Sequence, residues 1–345
     1  MTLEELLGVE LPIVQAPMAG SQGSALAIAV SEAGGLGSLP CALLGRDAIR
    51  AELEAIRART RKPYNVNFFC HAQPEPDAAR EAAWRALLAP YFAECGADPG
   101  AIQPAPSRFS FDAAAADLLA DFAPPGVSFH FGLPAPELVA RVRGWGAKVL
   151  ASATTVAEAL WLEARGVDAV IAQGFEAGGH RGMFLSEDLH TQLGTFALVP
   201  QVAAAVKVPV IAAGAIATPD GVAAARRLGA VGAQVGTAYL LCPEATTVPL
   251  HRAALAGEGA RATAVTNVFT GRPARGIVNR LMRELGPIRS EPPAFPLASA
   301  ALAPLRAHAE RAGRADFTAL WAGQNTSACR AIPAGALTRE LAGLA

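Results

Sequence analysis

The chain has 345 residues, of which 52% are hydrophobic and 17% are charged, so a disordered chain is excluded. Its 29 basic and 30 acidic residues give a net charge of −1, which lacks the basic excess that a nucleic-acid binder needs. This length suits either two ordinary domains or one large α/β barrel. The composition therefore predicts a globular protein with a sizeable core and no nucleic-acid partner.

No apolar run reaches the roughly 18–20 residues needed to cross a bilayer, so no membrane partner is expected. The N-terminal segment carries Glu4, Glu5 and Glu10 in place of the positive charge that opens a secretory signal. The five cysteines are scattered and form no Cys-x-x-Cys pair, which argues against a disulfide framework or a structural zinc site. Together these features predict a cytoplasmic protein.

Eight short apolar runs recur along the chain, and most are followed by a helical pattern. The runs are apolar on both faces, as parallel strands are when helices cover the sheet. Two of the helices are clear, because the patterns at 155–165 and 219–228 each start beside a threonine suited to capping free N–H groups. The predicted strands are 13–16, 36–39, 64–69, 127–131, 148–153, 169–173, 208–213 and 233–235.

This alternation of strands and helices predicts a (β/α)8 TIM barrel. An open doubly wound sheet is the alternative, but no Gly-x-Gly-x-x-Gly turn joins an early strand to a helix. Residues 71–125 interrupt the alternation and are predicted to form a helical insertion after strand three, with a helix near 78–88. No strand is predicted after residue 245. Residues 1–245 should therefore form the barrel, and residues 246–345 a C-terminal helical extension that packs on it.

Polar and glycine-rich segments follow the predicted strands, at the end of a barrel where chemistry is located. The loops after strands seven and eight contain Gly214 and the pair Gly236-Thr237. Glycine lets backbone N–H groups approach an anion closely, and these two loops are the usual phosphate site of a barrel. Each glycine alone is better explained by a tight turn, but the pair in this order predicts a phosphate-bearing ligand.

Among the histidines, His180 is the main candidate for chemistry, because it follows two glycines in the loop after strand six. An imidazole titrates near neutrality, which suits proton transfer or a hydrogen bond to an anionic substrate. His130 lies inside a predicted strand, where core packing explains it at least as well as catalysis. His71 ends strand three and fits either role equally.

Several common catalytic arrangements are missing from the strand ends. There is no His-x-x-x-His pair and no cluster of carboxylates, so no metal site is predicted. No Gly-x-Ser-x-Gly turn indicates a serine hydrolase. The three lysines precede or open predicted strands and should lie at the other end of the barrel, which argues against Schiff-base and pyridoxal phosphate chemistry. These lysines are Lys62, Lys148 and Lys207.

Six segments in barrel order resemble the nitronate monooxygenase family, FMN-dependent TIM-barrel enzymes, and its class I bacterial branch most of all. The segment 176–182 (Glu-Ala-Gly-Gly-His-Arg-Gly) is similar to flavin-dependent enoyl-ACP reductases as well. Segments 65–71 and 127–132 favour the nitronate branch. The resemblance extends from near residue 10 to the end of the chain. The six segments are 15–20, 34–38, 65–71, 127–132, 176–182 and 234–237.

The resemblance implies that the phosphate-bearing ligand is FMN. Met18 would lie against the flavin ring, while Asn67 and Gln173 would hydrogen-bond to the cofactor. His180 matches the family's active-site histidine. The residues implied to surround the ring edge, the ribityl chain and the phosphate are Gly178, Gly179, Gly214, Gln234, Val235, Gly236 and Thr237.

The resemblance also implies the reaction, in which an alkyl nitronate, typically propionate 3-nitronate, is oxidised by O2 to a carbonyl compound and nitrite. His180 would stabilise the anion or deprotonate a neutral nitroalkane. Arg181 or an arginine of the tail could pair with a substrate carboxylate. Two alternatives stay open. One is an FMN-dependent NAD(P)H reductase of a quinone or an enoyl thioester. The other is a barrel without redox chemistry, either a phosphate-binding isomerase or lyase or a flavin binder. The chain is expected to be a monomer or a homodimer.

Overall fold

The computed structural model describes residues 1–104 and 110–344, so residues 105–109 of the predicted insertion and residue 345 lie outside it. Eight parallel strands form one sheet in which the last strand pairs with the first. A single bridge between Val14 and Leu36 closes the ring, which confirms the predicted (β/α)8 barrel. The barrel strands are β1 (Ile13–Gln15), β2 (Gly37–Pro40), β3 (Tyr64–Phe69), β4 (Gly126–His130), β5 (Lys148–Ala153), β6 (Ala169–Gln173), β8 (Val210–Ala213) and β9 (Gly232–Val235), and β7 (Gly179–His180) lies outside the barrel.

Helices alternate with these strands, and two of them begin where a threonine predicted a start. The side chain of Thr155 accepts a hydrogen bond from Glu158 N, and that of Thr218 accepts one from Gly221 N. No helix within the described ranges is long and apolar enough to cross a bilayer. The helices are α1 (Leu3–Leu7), α2 (Ser24–Glu32), α3 (Arg46–Arg59), α4 (Ala78–Cys95), α5 (Ala113–Ala120), α6 (Pro136–Gly144), α7 (Val156–Glu163), α8 (Thr195–Ala205), α9 (Pro219–Arg227), α10 (Pro249–Ala256), α11 (Arg280–Leu285), α12 (Ser299–Arg311) and α13 (Ala334–Leu341).

The insertion and the tail pack on each other as well as on the barrel. Helix α4 lies against α12, and Trp84 and Leu88 share a hydrophobic cluster with Leu302 and Leu305. Helix α5 contacts α3 and α6 and so takes the barrel position between β3 and β4. Helix α13 contacts α2 and α9, which places it at the eighth helix position of the barrel. The ring of helices therefore includes the last helix of the tail.

Two strands follow residue 245, so the prediction of a tail without strands is wrong. Strands β10 (Thr263–Thr266) and β11 (Ala274–Ile277) form an antiparallel hairpin, and β11 pairs with β7. Each strand has only four residues, and β7, the strand that completes their sheet by pairing with β11, lies about 95 residues earlier in the chain. A pattern this short does not separate a strand from a loop. The tail hairpin therefore supports the short strand that carries His180.

The two-residue period of the strands sorts the barrel side chains into two sets. Outward side chains such as Val127 and Phe129 of β4 pack under the helices. Near the amino ends of the strands, inward side chains such as Leu150 and Ile171 pack against the N-terminal helix α1, which closes that end. Near the carboxyl ends most of the inward side chains are polar. They include Asn67, Ser128, His130, Ser152, Gln173 and Gln234.

Candidate active site

A deep cavity opens at the carboxyl ends of the barrel strands, with a volume of about 1380 Å³ when its open mouth is included. The sequence singled out eleven site residues, and all but Val235 line this cavity. They are Met18, Asn67, Gln173, Gly178, Gly179, His180, Gly214, Gln234, Gly236 and Thr237.

Val235 does not line the cavity, which corrects its predicted contact with the cofactor. Its side chain is 1% exposed and belongs to the cluster that contains Leu26 and Val30 of α2. Successive residues of a strand point to opposite faces, so Gln234 faces the barrel interior and Val235 faces the helices. The predicted binding loop 234–237 therefore contains one residue, Val235, whose side chain faces away from the cavity.

The loops after β8 and β9 form one end of the cavity and are tied to the tail. Gly214 has a φ of +129° and Ala215 a φ of +55°, both in the region that side chains disfavour. The hydroxyl of Thr237 accepts a hydrogen bond from Gly323 N at 2.9 Å. Asn325 Nδ2 donates to the carbonyl of Ala215 at 3.1 Å. The strained turn at 214–215 is thus held by the side chain of Asn325, 110 positions later in the chain.

Polar groups at this end of the cavity fit a ligand that carries both hydrogen-bond donors and an anion. Gln234 Oε1 is buried and has no hydrogen-bond partner within residues 1–104 and 110–344. A buried acceptor without a donor costs about 1–3 kcal/mol, which a ligand N–H group would offset. Among the described residues that line the cavity, none is a lysine or an arginine. An anion at this end would therefore be bound by backbone N–H groups and hydroxyls.

The backbone of His180 is anchored to the barrel by two side chains. Its carbonyl oxygen accepts hydrogen bonds from Gln173 Nε2 at 2.9 Å and from His130 Nε2 at 3.2 Å. The oxygen of the same Gln173 amide accepts a bond from Gly182 N at 2.7 Å. Gln173 therefore lines the cavity as predicted. One N–H group of its side-chain amide and the amide oxygen are already hydrogen-bonded to the backbone of the segment that carries His180. Its predicted bond to FMN stays a prediction.

His130 is a neutral hydrogen-bond donor. A carbonyl can only accept, so the bond to His180 places the proton of His130 on Nε2. Its Nδ1 atom then accepts from the hydroxyl of Ser152, which lies 3.0 Å away. Burial lowers the pKa of His130 to about 3; the hydrogen bond to His180 opposes the shift, and the charges of Arg272 and Arg181 add to it. His130 therefore supports the site structurally and does not titrate near neutral pH.

Aromatic side chains surround the ring of His180. The centroids of Phe131, Phe295 and Trp321 lie 6.0, 5.2 and 5.4 Å from the centroid of the imidazole. Phe295 and Trp321 belong to the tail, and the sequence offers no local signal that brings them here. The inward position of Ser152 on β5, by contrast, follows from strand alternation. The histidine therefore lies against a largely apolar wall.

Arg181 does not face the cavity, so its suggested pairing with a substrate carboxylate is wrong. Its side chain is 0% exposed and donates to the carbonyls of Gln173 at 2.7 Å and Gly174 at 2.6 Å. Burial lowers the pKa of its guanidinium to about 9. The alternation of β7 explains this orientation, since His180 and Arg181 point to opposite sides.

In the described ranges, no group of three His, Cys, Asp or Glu residues could hold a metal ion.

Sequence comparisons match this protein to one family over nearly its whole length. A family model described as nitronate monooxygenase matches residues 1–343. A nitronate monooxygenase of Paraburkholderia phytofirmans is 44% identical over 339 residues, which cover 97% of this chain and 92% of that protein. One of Pseudomonas aeruginosa is also 44% identical, over 97% of this chain and 96% of its own.

Solved structures give the same result at the level of the fold. The nitroalkane oxidase of Streptomyces ansochromogenes matches with a TM-score of 0.88 and 41% identity, covering 99% of this chain and 96% of that one. The FabK of Thermotoga maritima matches with a TM-score of 0.72 and 26% identity, covering 99% and 94%. The sequence match, the barrel and the position of the cavity are consistent with one another. The chain is therefore an oxidoreductase that belongs to the nitronate monooxygenase family.

Proposed function

We propose that the cavity binds FMN and that the protein oxidises an alkyl nitronate with O2 to a carbonyl compound and nitrite, with His180 beside the reacting carbon. One observation carries this proposal. The imidazole of His180 lies at the wall of the same cavity whose other end is formed by the glycine loops after β8 and β9. A phosphate at those loops and a flavin ring near the histidine can therefore belong to one molecule.

The cavity residues fit such a cofactor without a charged side chain. Gly214, Gly236 and Thr237 would hold the phosphate through backbone N–H groups and a hydroxyl. The unpaired Oε1 atom of Gln234 would accept a hydrogen bond from the cofactor. Met18, whose side chain lies beside Gly236 on the cavity wall, would contact the ring. The flavin, when bound, supplies the electron acceptor for an electron-rich carbon.

The protein's own contribution is to bind and orient the substrate. His180 would hydrogen-bond to the nitronate anion and stabilise its charge in surroundings from which aromatic side chains exclude water. With a neutral nitroalkane, the imidazole would accept the proton of the α-carbon, and the electron pair of that C–H bond would form the C=N bond of the nitronate. Phe131 and Trp321 limit the positions that the histidine can adopt.

Propionate 3-nitronate is the proposed substrate, and Arg272, which packs on Phe131 and is not among the residues that line the cavity, is the proposed partner of its carboxylate. The guanidinium of Arg272 lies 3.9 Å from the ring centroid of Phe131, which itself contacts His180. One nitrogen donates to the carbonyl of Met183. The Nε atom is buried without a hydrogen-bond partner in the part of the chain that the structure describes. An unpaired cationic donor so close to the aromatic wall supports this assignment.

Oxygen uptake by the purified protein tests the proposal. The protein should be yellow, and propionate 3-nitronate should stimulate oxygen consumption with release of nitrite. NADH together with a quinone should not stimulate oxygen consumption. Bleaching of the flavin by NADH under nitrogen, combined with no oxygen uptake on any nitronate, would support the reductase alternative. A colourless protein without flavin absorption would contradict the cofactor assignment itself.

A further inference from the structure

Thr270 contacts the ring of His180, whereas Gln173 and His130 hold its backbone carbonyl. Its Oγ1 atom lies 3.0 Å from Nε2 of His180. The threonine is 5% exposed and lies in the connection between β10 and β11. Strand β11 pairs directly with the strand of the histidine, with Ala274 opposite His180. The tail hairpin thus places the hydroxyl of Thr270 within hydrogen-bonding distance of Nε2 of His180.

The position of this hydroxyl is fixed by the turn that carries it. Gly271 N donates to Asn267 O at 2.8 Å, and Arg181 N donates to Pro273 O at 2.8 Å. Gly271 has a φ of +85°, and a Cβ atom there would lie 1.9 Å from the carbonyl oxygen of Pro293. The turn is therefore packed against the neighbouring backbone and cannot move away from the histidine without losing these contacts.

The hydroxyl of Thr270 has a second set of partners on its own turn. Its Oγ1 atom lies 3.3 Å from the carbonyl oxygen of Arg272 and 3.4 Å from the amide nitrogen of the same residue. A hydroxyl has one proton to donate and two lone pairs that accept. When its proton points to the Arg272 carbonyl, the oxygen can accept from a protonated Nε2 of His180. When the proton turns to the ring, it donates to an unprotonated Nε2.

We propose that Thr270 is the positioning residue of His180, which holds the imidazole in one orientation in both of its protonation states. This inference rests on the proposed role of His180 at the nitronate. A carboxylate or a carbonyl in the place of Thr270 would accept only and would keep a proton on Nε2. A hydroxyl with an alternative acceptor lets the ring gain and lose a proton there without turning. The direction of the opposite edge of the ring, towards the cavity, then stays constant.

Three variants test the inference. Thr270→Val keeps the shape of the side chain and removes the hydroxyl, while Thr270→Ser keeps the hydroxyl. Thr266→Val is the matched control, because Thr266 is a buried threonine of the same hairpin whose hydroxyl accepts a hydrogen bond from Val268 N of its own turn. Turnover of ethyl nitronate should fall roughly two- to tenfold in Thr270→Val, as expected for the loss of one hydrogen bond. Turnover of ethyl nitronate by Thr270→Ser should stay within about twofold of the wild-type value. The control variant Thr266→Val should have the turnover of the wild type.

Nitrogen NMR of ¹⁵N-histidine-labelled protein gives a readout that a purely structural role would not move. The His180 signals are assigned by their loss in His180→Asn. The wild type should show one ring orientation with a hydrogen-bonded Nε2, and Thr270→Val should shift that signal or split it into several. This measurement needs no turnover, so it stays valid if the valine variant binds FMN poorly. If that variant does not fold, Thr270→Ala replaces it.

The outcomes separate this inference from the proposed function. If His180→Ala turns over nitronate normally, the role of His180 fails and the inference fails with it. If His180→Ala is inactive while Thr270→Val keeps wild-type turnover and an unchanged His180 spectrum, only the role of Thr270 is contradicted. Loss of activity in Thr270→Val with rescue by serine and a shifted Nε2 signal supports both.

Discussion

The carbonyl oxygen of His180 lies 3.2 Å from Nε2 of His130, a half-buried side chain whose pKa is lowered to about 3. Since His130 is neutral above that pH, it donates the same hydrogen bond throughout the range in which most enzymes work. Gln173, which does not titrate, donates to the same oxygen. The backbone of His180 is thus held by groups whose bonding does not change with pH, while its ring contacts a separate hydroxyl.

Replacement of His180 should separate catalysis from cofactor binding. His180→Ala is expected to keep FMN, because the proposed phosphate contacts lie on other loops. Its turnover of nitronate should fall by roughly 10²–10⁴, the range typical for loss of a positioned acid–base group. Flavin absorbance and initial rates of oxygen uptake measure the two effects. The exposed His190 supplies a control in His190→Ala, which should resemble the wild type. Equal rates in the two variants would remove His180 from the mechanism.

Gly236→Val tests the position of the phosphate. A Cβ atom at residue 236 would lie 3.3 Å from Cβ of Ala16 and 3.7 Å from Sδ of Met18, on the cavity wall. The larger side chain should occupy space that a bound cofactor needs, so FMN retention through gel filtration should fall. Gly144→Ala is the control, since a Cβ atom at that helical position meets nothing within 4 Å. Full flavin occupancy in Gly236→Val would show that the phosphate binds elsewhere.

Arg181→Met should affect stability and not substrate selection. The change removes the donor that Arg181 gives to each of the carbonyls of Gln173 and Gly174, although the Gly174 carbonyl keeps a bond from Ala177 N at 3.1 Å. We expect the free energy of unfolding in urea to fall by about 1–3 kcal/mol, the cost of one buried acceptor that loses its donor. Arg165→Met, at an exposed arginine that stacks on Trp161, should cost far less. A variant of normal stability with a selective defect on carboxylate-bearing nitronates would restore Arg181 as a binding residue.

Arg272→Met should show whether this residue recognises a carboxylate. Propionate 3-nitronate and propyl-1-nitronate are similar in size, and only the first carries a carboxylate. Loss of a hydrogen bond to a charged group costs about 1.5–3 kcal/mol, so KM for propionate 3-nitronate should rise about tenfold or more. KM for propyl-1-nitronate should stay nearly constant. Equal changes for both compounds would indicate that Arg272 only supports Phe131.

His251 should make the protein less stable in mild acid. Burial lowers its pKa to about 4, although a hydrogen bond with the backbone of Trp321 opposes the shift. In the unfolded chain the pKa is about 6.5, so between these values the unfolded state binds more protons than the folded state. Stability is therefore complete above about pH 6.5 and falls as the pH approaches 4. The loss should reach on the order of 3 kcal/mol.

Urea unfolding of the wild type and of His251→Gln at pH 7 and pH 5 measures this effect. The difference between the two pH values should be smaller in the variant, since glutamine does not titrate in this range. His130 is present in both proteins, so its own acid sensitivity cancels in the comparison. The same pH dependence in both proteins would contradict the lowered pKa of His251.

The barrel was predictable because its strands are buried on both sides. Each of the eight strands begins and ends within two residues of its predicted position, since apolar runs between helical patterns mark such strands well. Strand alternation explains the one misplaced cavity residue, Val235, and this could have been seen from the sequence. The tail was not predictable in the same way. Its four-residue strands form a sheet with β7, a distant segment that pairs with β11, and tertiary packing alone brings Phe295, Trp321 and Thr270 to His180.

A crystal structure of the FMN-loaded protein is the most direct test. The flavin phosphate should bind at the backbone of Gly214 and Gly236, with the isoalloxazine ring in van der Waals contact with Met18 and the imidazole of His180 next to the substrate side of the ring. An imidazole that points into bulk solvent, or a phosphate bound away from both glycine loops, would contradict the assignment of this cavity.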